Sequence, residues 1–352
     1  VLYASWFPFA GWRWPPGQEL APLLALPWPP WRDEFDLWAN TLGYAPLGFL
    51  LFVAVRRSGG GTLAAALAAV LGAAGLSYLA EVVQHFLPGR HPSLKDWAAN
   101  VGGAAAGALL AGAVSAAGGI DRWVAFRERW FGGGAAGALA LLALWPVGLL
   151  FPAPAPFALG QVGPVLRETA LALVEGVPWL ARWQALLAAP PGVPPLPTLA
   201  EAAASTLGLL APIGIACAVV APGWRRLVLA LGAAALGVLG MALSSLLNFG
   251  PENAWAWVMP ETPLAIGAAL VAAVLLVWVP ARVAAGLALV VLAALVAIVA
   301  LAPPDPYFAL RLQAWEQGRF VRFHGLAQWV ARLWPFAAIA WLLLWQPARR
   351  PG

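Results

Sequence analysis

The residues best able to do chemistry crowd into one stretch, from Glu81 to Asn100, E-V-V-Q-H-F-L-P-G-R-H-P-S-L-K-D-W-A-A-N. Glu81, Gln84 and His85 are spaced i, i+3, i+4, so a carboxylate, an amide and an imidazole share one helix face. Arg90, Ser93, Asp96 and Asn100 follow, adding a guanidinium, a hydroxyl, a second carboxylate and a second amide. Two readings of this set stand side by side. Arg90 can latch the turn by pairing bidentately with one or both carboxylates. The same groups can converge on a pocket, with Arg90 on a phosphate and Glu81 and Asn100 on hydroxyls. Glu81 is a candidate general base, but no G-x-S-x-G elbow and no Cys beside a His supplies a matched nucleophile. No metal site is expected: His85, His91 and His324 form no recognised ligand set, and Cys217 is the sole cysteine. No cofactor is expected either. Gly59-Gly60-Gly61 and Gly132-Gly133-Gly134 lack a following Lys-Ser/Thr and are linkers, not phosphate loops.

Two long apolar runs, Thr62–Leu79 and Trp97–Val114, flank this stretch and must position it. An acid at mid-depth in a bilayer helix costs roughly 2.5–3.5 kcal/mol, so Glu81 needs a partner or a wet cavity. Pro88-Gly89 ends the first helix. Ser93 reads as the N-cap of the next, with Asp96 reaching back to complete a capping box. Asp96, Asn100, Gly103 and Gly107 form one stripe, polar at the mouth and then small enough for another helix to approach closely. Asp36 and Asn40, early in the preceding apolar run, either satisfy their own helix N-terminus or join the same cluster.

Composition sets the class. Residues are 62% hydrophobic and only 10% charged, against about 25% charged in soluble domains, so this is an integral membrane protein. The net charge of +5 comes from arginines that flank the apolar runs and is no nucleic-acid footprint. The opening run lacks a basic leader and a small-residue cleavage site, so no signal peptide is expected. It is also shorter than the ~20 residues of a full span and starts without Met, which leaves the first span clipped. Spans are expected at 37–55, 62–86, 96–117, 134–151, 199–221, 225–247, 261–279, 282–302 and 334–346, about ten with the clipped one. The intervening stretch rich in Trp and Pro, residues 13–32, suits the headgroup level.

The spacing E-x-x-Q-x-x-x-P-G-R-x-x-S-x-x-D-x-x-x-N-x-x-G resembles the signature of the VanZ-like family of bacterial membrane proteins. Leu2-Tyr3-Ala4-Ser5, Pro8-Phe9 and Trp12 resemble that family's opening, as does Asp36-x-x-x-Asn40-x-x-x-x-x-Pro46-x-Gly48. The resemblance covers about the first third of the chain. It implies a protein that binds or handles a cell-envelope component, either a lipid-linked saccharide, a phosphate headgroup or a glycopeptide. The rivals are a membrane-embedded enzyme with Glu81 as base, and a transporter or flippase. Membrane lipids and lipid-linked envelope intermediates are the expected partners; nucleic acid is not.

With the N-terminus inside, ten of the 20 basic residues but only two of the 15 acids fall on inner loops. That bias orients the chain in the bacterial inner membrane with Glu81–Asn100 on the extracytoplasmic side. A degenerate parallel repeat is expected as well. Asp36-x-x-x-Asn40-Thr41-Leu42-Gly43 matches Glu201-x-x-x-Ser205-Thr206-Leu207-Gly208, and Asp96 and Gly102 match Glu261 and Gly267. Pro156-Phe157-Ala158-Leu159 echoes Tyr307-Phe308-Ala309-Leu310. The second copy lacks the acid, the glutamine and Pro-Gly-Arg near Ser244-Ser245-Leu246-Leu247-Asn248, so one polar site per molecule is expected. The expected organisation is a VanZ-like module at 1–120, a span with an outer Pro-rich and amphipathic segment at 121–198, and the second copy at 199–352. Residues 157–187 read as an interfacial helix pair on the outer leaflet. The fold class is an all-α polytopic bundle.

Overall fold

The computed structural model describes residues 2–6, 9, 11–29, 34–132, 134–188, 196–303 and 321–345. Their regular secondary structure is entirely helical: α1 (Leu2–Trp6), α2 (Leu20–Leu23), α3 (Glu34–Arg57), α4 (Thr62–Gln84), α5 (Leu94–Ala116), α6 (Gly119–Trp130), α7 (Ala136–Leu149), α8 (Gly163–Val174), α9 (Ala181–Ala188), α10 (Thr198–Val219), α11 (Trp224–Phe249), α12 (Glu261–Leu276), α13 (Ala281–Ala300) and α14 (Val321–Leu344). Seven of these, α3, α4, α5, α10, α11, α13 and α14, are long and apolar enough to cross a membrane, and α7 and α12 are shorter apolar helices. The chain is a polytopic membrane protein. The chain forms two compact units, Val1–Phe126 and Arg127–Gly352, each described by itself. The expectations on Tyr307–Leu310, Arg349 and Arg350 lie outside the described residues.

Seven of the expected spans correspond to helices long enough to cross, while those at 134–151 and 261–279 correspond to the shorter α7 and α12. The last helix starts at Val321, well before 334, and continues through Pro335. Its neighbours explain this. Ala331 accepts the Gly160 N–H at 2.8 Å, and the Trp334 indole donates to the Leu141 carbonyl at 2.7 Å, so the helix is docked ahead of its proline. Residues 118–133, expected as an inner loop, hold α6, a helix without buried residues and with Arg127 and Arg129 in its last turn, where the helix dipole favours cations.

In the first unit, α4 buries a strict four-residue stripe: Ala65, Ala69, Ala73, Ser77 and Glu81. Alanine lets helices approach while losing no side-chain entropy, and here the stripe ends in polar residues. α5 presents Asn100, Gly103, Ala104, Gly107, Ala108 and Ala111. α3 and α5 meet backbone to backbone. A Cβ on Gly103 would fall on the Thr41 carbonyl oxygen, one on Gly107 on that of Ala45, and one on Gly48 on that of Ala104. Phe52 fills the far end against Ala65, Ala69, Ala108 and Ala111. Leucines such as Leu63, Leu71 and Leu109 point outward, as a lipid-facing surface requires.

In the second unit α10 is the central helix, buried continuously from Ala211 to Val219 and packed on α7, α11, α12 and α13. Residues 152–160, which continue past α7 without helix, are all buried. The expectation that the chain is already interfacial from residue 157 is corrected here: only α8 and α9 form an exposed pair. Buried irregular backbone needs every donor matched, and Pro152, Pro154 and Pro156 carry no N–H. At Gly208 a Cβ would strike the Phe157 carbonyl, so the segment lies directly on α10. At the opposite end of α10, the buried Arg226 guanidinium donates to the Val220 carbonyl (2.9 and 3.0 Å), to Leu276 (2.8 Å) and to Val279 (2.6 Å). It thereby satisfies the C-terminal carbonyls of α10 and α12 with a cation matched to both helix dipoles.

Two consequences are measurable as thermal unfolding in detergent. Gly103→Val should lower stability by roughly 1–3 kcal/mol or more, because the obstruction is backbone. Gly102→Ala, which meets nothing within 4 Å, should be neutral. Arg226→Met should cost about 3 kcal/mol by stranding several buried carbonyls, whereas Arg225→Met, at a half-buried position with one carbonyl partner, Arg129, should cost less.

Candidate functional site

The polar end of the first unit is built where α4 stops and α5 starts. Ser93 caps α5 as expected, its hydroxyl accepting the Lys95 and Asp96 N–H groups at 3.1 and 3.2 Å. The return bond comes from another helix. The Ser93 N–H donates to Glu81 Oε2 at 2.9 Å, so α4 supplies the carboxylate that a capping box would take from Asp96. Glu81 thus has the partner its depth demands, and the bond ties the two ends of the Pro88-Gly89 turn together. Gly89 sits at φ 76°, a left-handed conformation that favours glycine.

Around this bond the charged groups oppose one another. Asp96 repels the Glu81 carboxylate and Arg90 attracts it. Glu81, Gln84, Ser93 and Asn100 are buried, whereas His85, Arg90 and Asp96 are half-buried and His91 is exposed. Burial lowers the His85 pKa, which keeps the imidazole neutral near pH 7. One turn deeper, Asn100 Nδ2 donates to Ser77 Oγ at 2.9 Å. Tyr44 of α3 lies beside Ser77 and within electrostatic reach of Glu81. Three polar atoms of this set, Tyr44 Oη, His85 Nε2 and Asn100 Oδ1, are buried without a hydrogen-bond partner among the described residues.

Of the residues singled out in the sequence, Glu81 and Ser93 are joined directly, with Arg90 and Asp96 acting on Glu81. Asn100 belongs to the next layer down. Asp36 and Asn40 are half-buried at the same end of the unit. The α3–α5 register, Thr41 on Gly103 and Ala45 on Gly107, sets them alongside Ala98 and Gly102. Ser77 and Tyr44 escaped the sequence reading. Ser77 precedes Glu81 by four residues on the α4 stripe, and that periodicity was the available signal. Tyr44 carried none beyond its position one turn past Asn40.

The N-terminal segment roofs this end. Backbone bonds run from Arg13 N to the Phe86 carbonyl (3.0 Å) and from Leu94 N to that of Pro27 (2.9 Å). The Tyr78 hydroxyl donates to the Leu24 carbonyl (2.6 Å), and the Trp6 indole to that of Ala80 (3.2 Å). The Lys95 ammonium lies 5.5 Å from the Trp28 ring centre, and Trp14 meets Phe86 edge-on at 5.3 Å. The Trp-rich stretch is therefore a fitted cover over this end of α4 and α5.

The second unit buries polar residues of its own. It buries Glu201, Ser205, Ser244, Ser245, Asn248 and Thr262, a set without the Arg-bearing turn of the first unit.

The cap makes a specific prediction for unfolding in detergent. Ser93→Ala should cost about 1 kcal/mol and Ser93→Thr much less. Ser93→Asp, ordinarily a good cap, should be no better than alanine because it adds a third carboxylate beside Glu81 and Asp96.

No curated protein and no solved structure matches the chain. A family model does, over residues 5–115, from the start of the N-terminal roof to the last turn of α5. That stretch contains every residue of the Glu81 cluster, and the family it identifies there is VanZ/LLP1.

Proposed function

We propose that the first unit binds the headgroup of an anionic, lipid-linked envelope component at the outer face of the bacterial inner membrane. The carrying observation is the set of buried polar atoms without a partner around the Glu81–Ser93 bond: Tyr44 Oη, His85 Nε2 and Asn100 Oδ1. Buried polar atoms are nearly always matched, so such a group calls for a hydroxylated ligand or ordered water. Glu81 and Asn100 would take sugar hydroxyls, while Arg90 and Lys95 at the rim would meet a phosphate. The orientation rests on Arg56 and Arg57, at the end of α3 away from the cluster, and on the basic α6 that follows α5.

The test is native mass spectrometry of protein purified with and without added polyprenyl-phosphate sugar. Wild type should retain the lipid, and Glu81→Gln and Arg90→Ala should each reduce retention about tenfold, the loss of one charge-assisted bond. Arg57→Ala, at the far end, should not. Full retention by folded Glu81→Gln and Arg90→Ala proteins would place the site elsewhere.

A further inference from the structure

The second unit carries an arrangement outside the VanZ/LLP1 match that does not depend on the proposal above. α7 has 14 residues and α12 has 16. At 1.5 Å per residue these span about 21 and 24 Å, short of a ~30 Å hydrocarbon core. Each is completed by irregular chain: residues 152–160 after α7, and the turn at 250–260 before α12. The two irregular pieces touch, with the Phe157 and Trp257 rings 5.6 Å apart at 80°. Trp257 in turn faces Trp255, 6.4 Å away at 29°, so an aromatic ladder runs from exposed Trp255 to fully buried Phe157. Non-helical backbone at membrane depth is tolerated where it is buried in protein or lines a polar cavity.

The surroundings supply hydrogen-bonding groups. α11 turns Gly237, Met241, Ser244, Ser245 and Asn248 inward. A Cβ on Gly237 would meet the Trp145 and Phe157 rings. Higher on the same face, Ser244 Oγ and Asn248 Nδ2 both donate to the Leu150 carbonyl at 3.1 Å, closing the end of α7. Four further atoms are left over: Trp145 Nε1, Trp257 Nε1, Ser245 Oγ and Asn248 Oδ1 are buried without a partner among the described residues. Their side chains are all at least nine-tenths buried. Two indole donors, one acceptor and one hydroxyl that can do either make a neutral constellation. The buried cation of this unit, Arg226, is committed at the other end of α10 and α11. Phe157 is held at φ 63°, a left-handed conformation unusual for a side chain of its size, with its carbonyl on Gly208.

We propose that the second unit contains a separate binding site for an uncharged, hydroxyl-bearing lipid headgroup, where residues 152–160 meet the Trp255–Trp257 turn. The aromatic ladder suits the apolar faces of a sugar ring, and the leftover donors and acceptors suit its hydroxyls. Arg332 is the cation beside this segment, half-buried with its guanidinium 5.7 and 5.8 Å from the Phe151 and Trp329 ring centres, and the four leftover atoms themselves all belong to uncharged side chains.

The test uses full-length protein in phosphatidylcholine nanodiscs doped with either monoglucosyldiacylglycerol or phosphatidylglycerol, with bound lipid counted by native mass spectrometry. The glucosyl lipid should be retained preferentially. Ser245→Ala, and Trp257→Phe, which keeps the ring stack but removes the donor, should each lower its retention about tenfold. Glu81→Gln should leave it unchanged. Equal retention of the two lipids, or retention unmoved by both unit-two variants in folded protein, would overturn the proposal and leave ordered water as the partner of these atoms. Loss in Glu81→Gln alone would assign the sugar to the first unit and overturn it equally.

Discussion

A bilayer offers a buried polar group no solvent to fall back on, and that scarcity governs this molecule. Each polar group carried into an apolar helix must find its complement within the chain or in something bound. Glu81 finds it in the amide that opens α5, and Arg226 in carbonyls that close α10 and α12. The 152–160 segment lowers the demand instead, by using three prolines among its nine residues. These are different answers to one requirement.

The Glu81 arrangement has a further effect on chemistry. Because one carboxylate oxygen is held by a backbone donor, the side chain is fixed in place, so the binding proposed above would leave it no rotamer to order. The pull of Arg90 and the push of Asp96 then act on an immobile carboxyl group. The N-terminal roof, bonded to α4 and α5 through both backbone and indole donors, encloses that end. A site of this kind is shaped by helix termini and a turn, and the long apolar helices serve to hold those termini in register.

Much of this was legible in the chain, because the signals are periodic or chemically abrupt. The apolar runs gave the spans, Pro88-Gly89 the turn, Ser93 the cap, and the Gly103–Gly107 spacing the close helix approach. The source of the carboxylate was not legible. Local rules favour Asp96, three residues away, and only the folded hairpin brings Glu81 to the Ser93 amide. The buried 152–160 segment was misplaced for a related reason: proline-rich composition signals irregular chain, but not whether that chain lies at the surface. Likewise, serines and a threonine in α10, α11 and α12 carry no sequence mark of the burial that helix packing gives them. The early start of α14 was hidden because Pro335 looked like a boundary, whereas docking on α7 and on Gly160 carries the helix through it.

Arg226 also bears on how the protein is made. Basic residues beside a nascent span bias which way it inserts, and they act while still hydrated. In the finished fold this guanidinium is 1% exposed and engaged by carbonyls from three residues. Its charge can therefore steer insertion only before α10 and α12 close over it. Any steering by this charge would thus be confined to the time before the bundle consolidates, after which the side chain is a permanent internal tie.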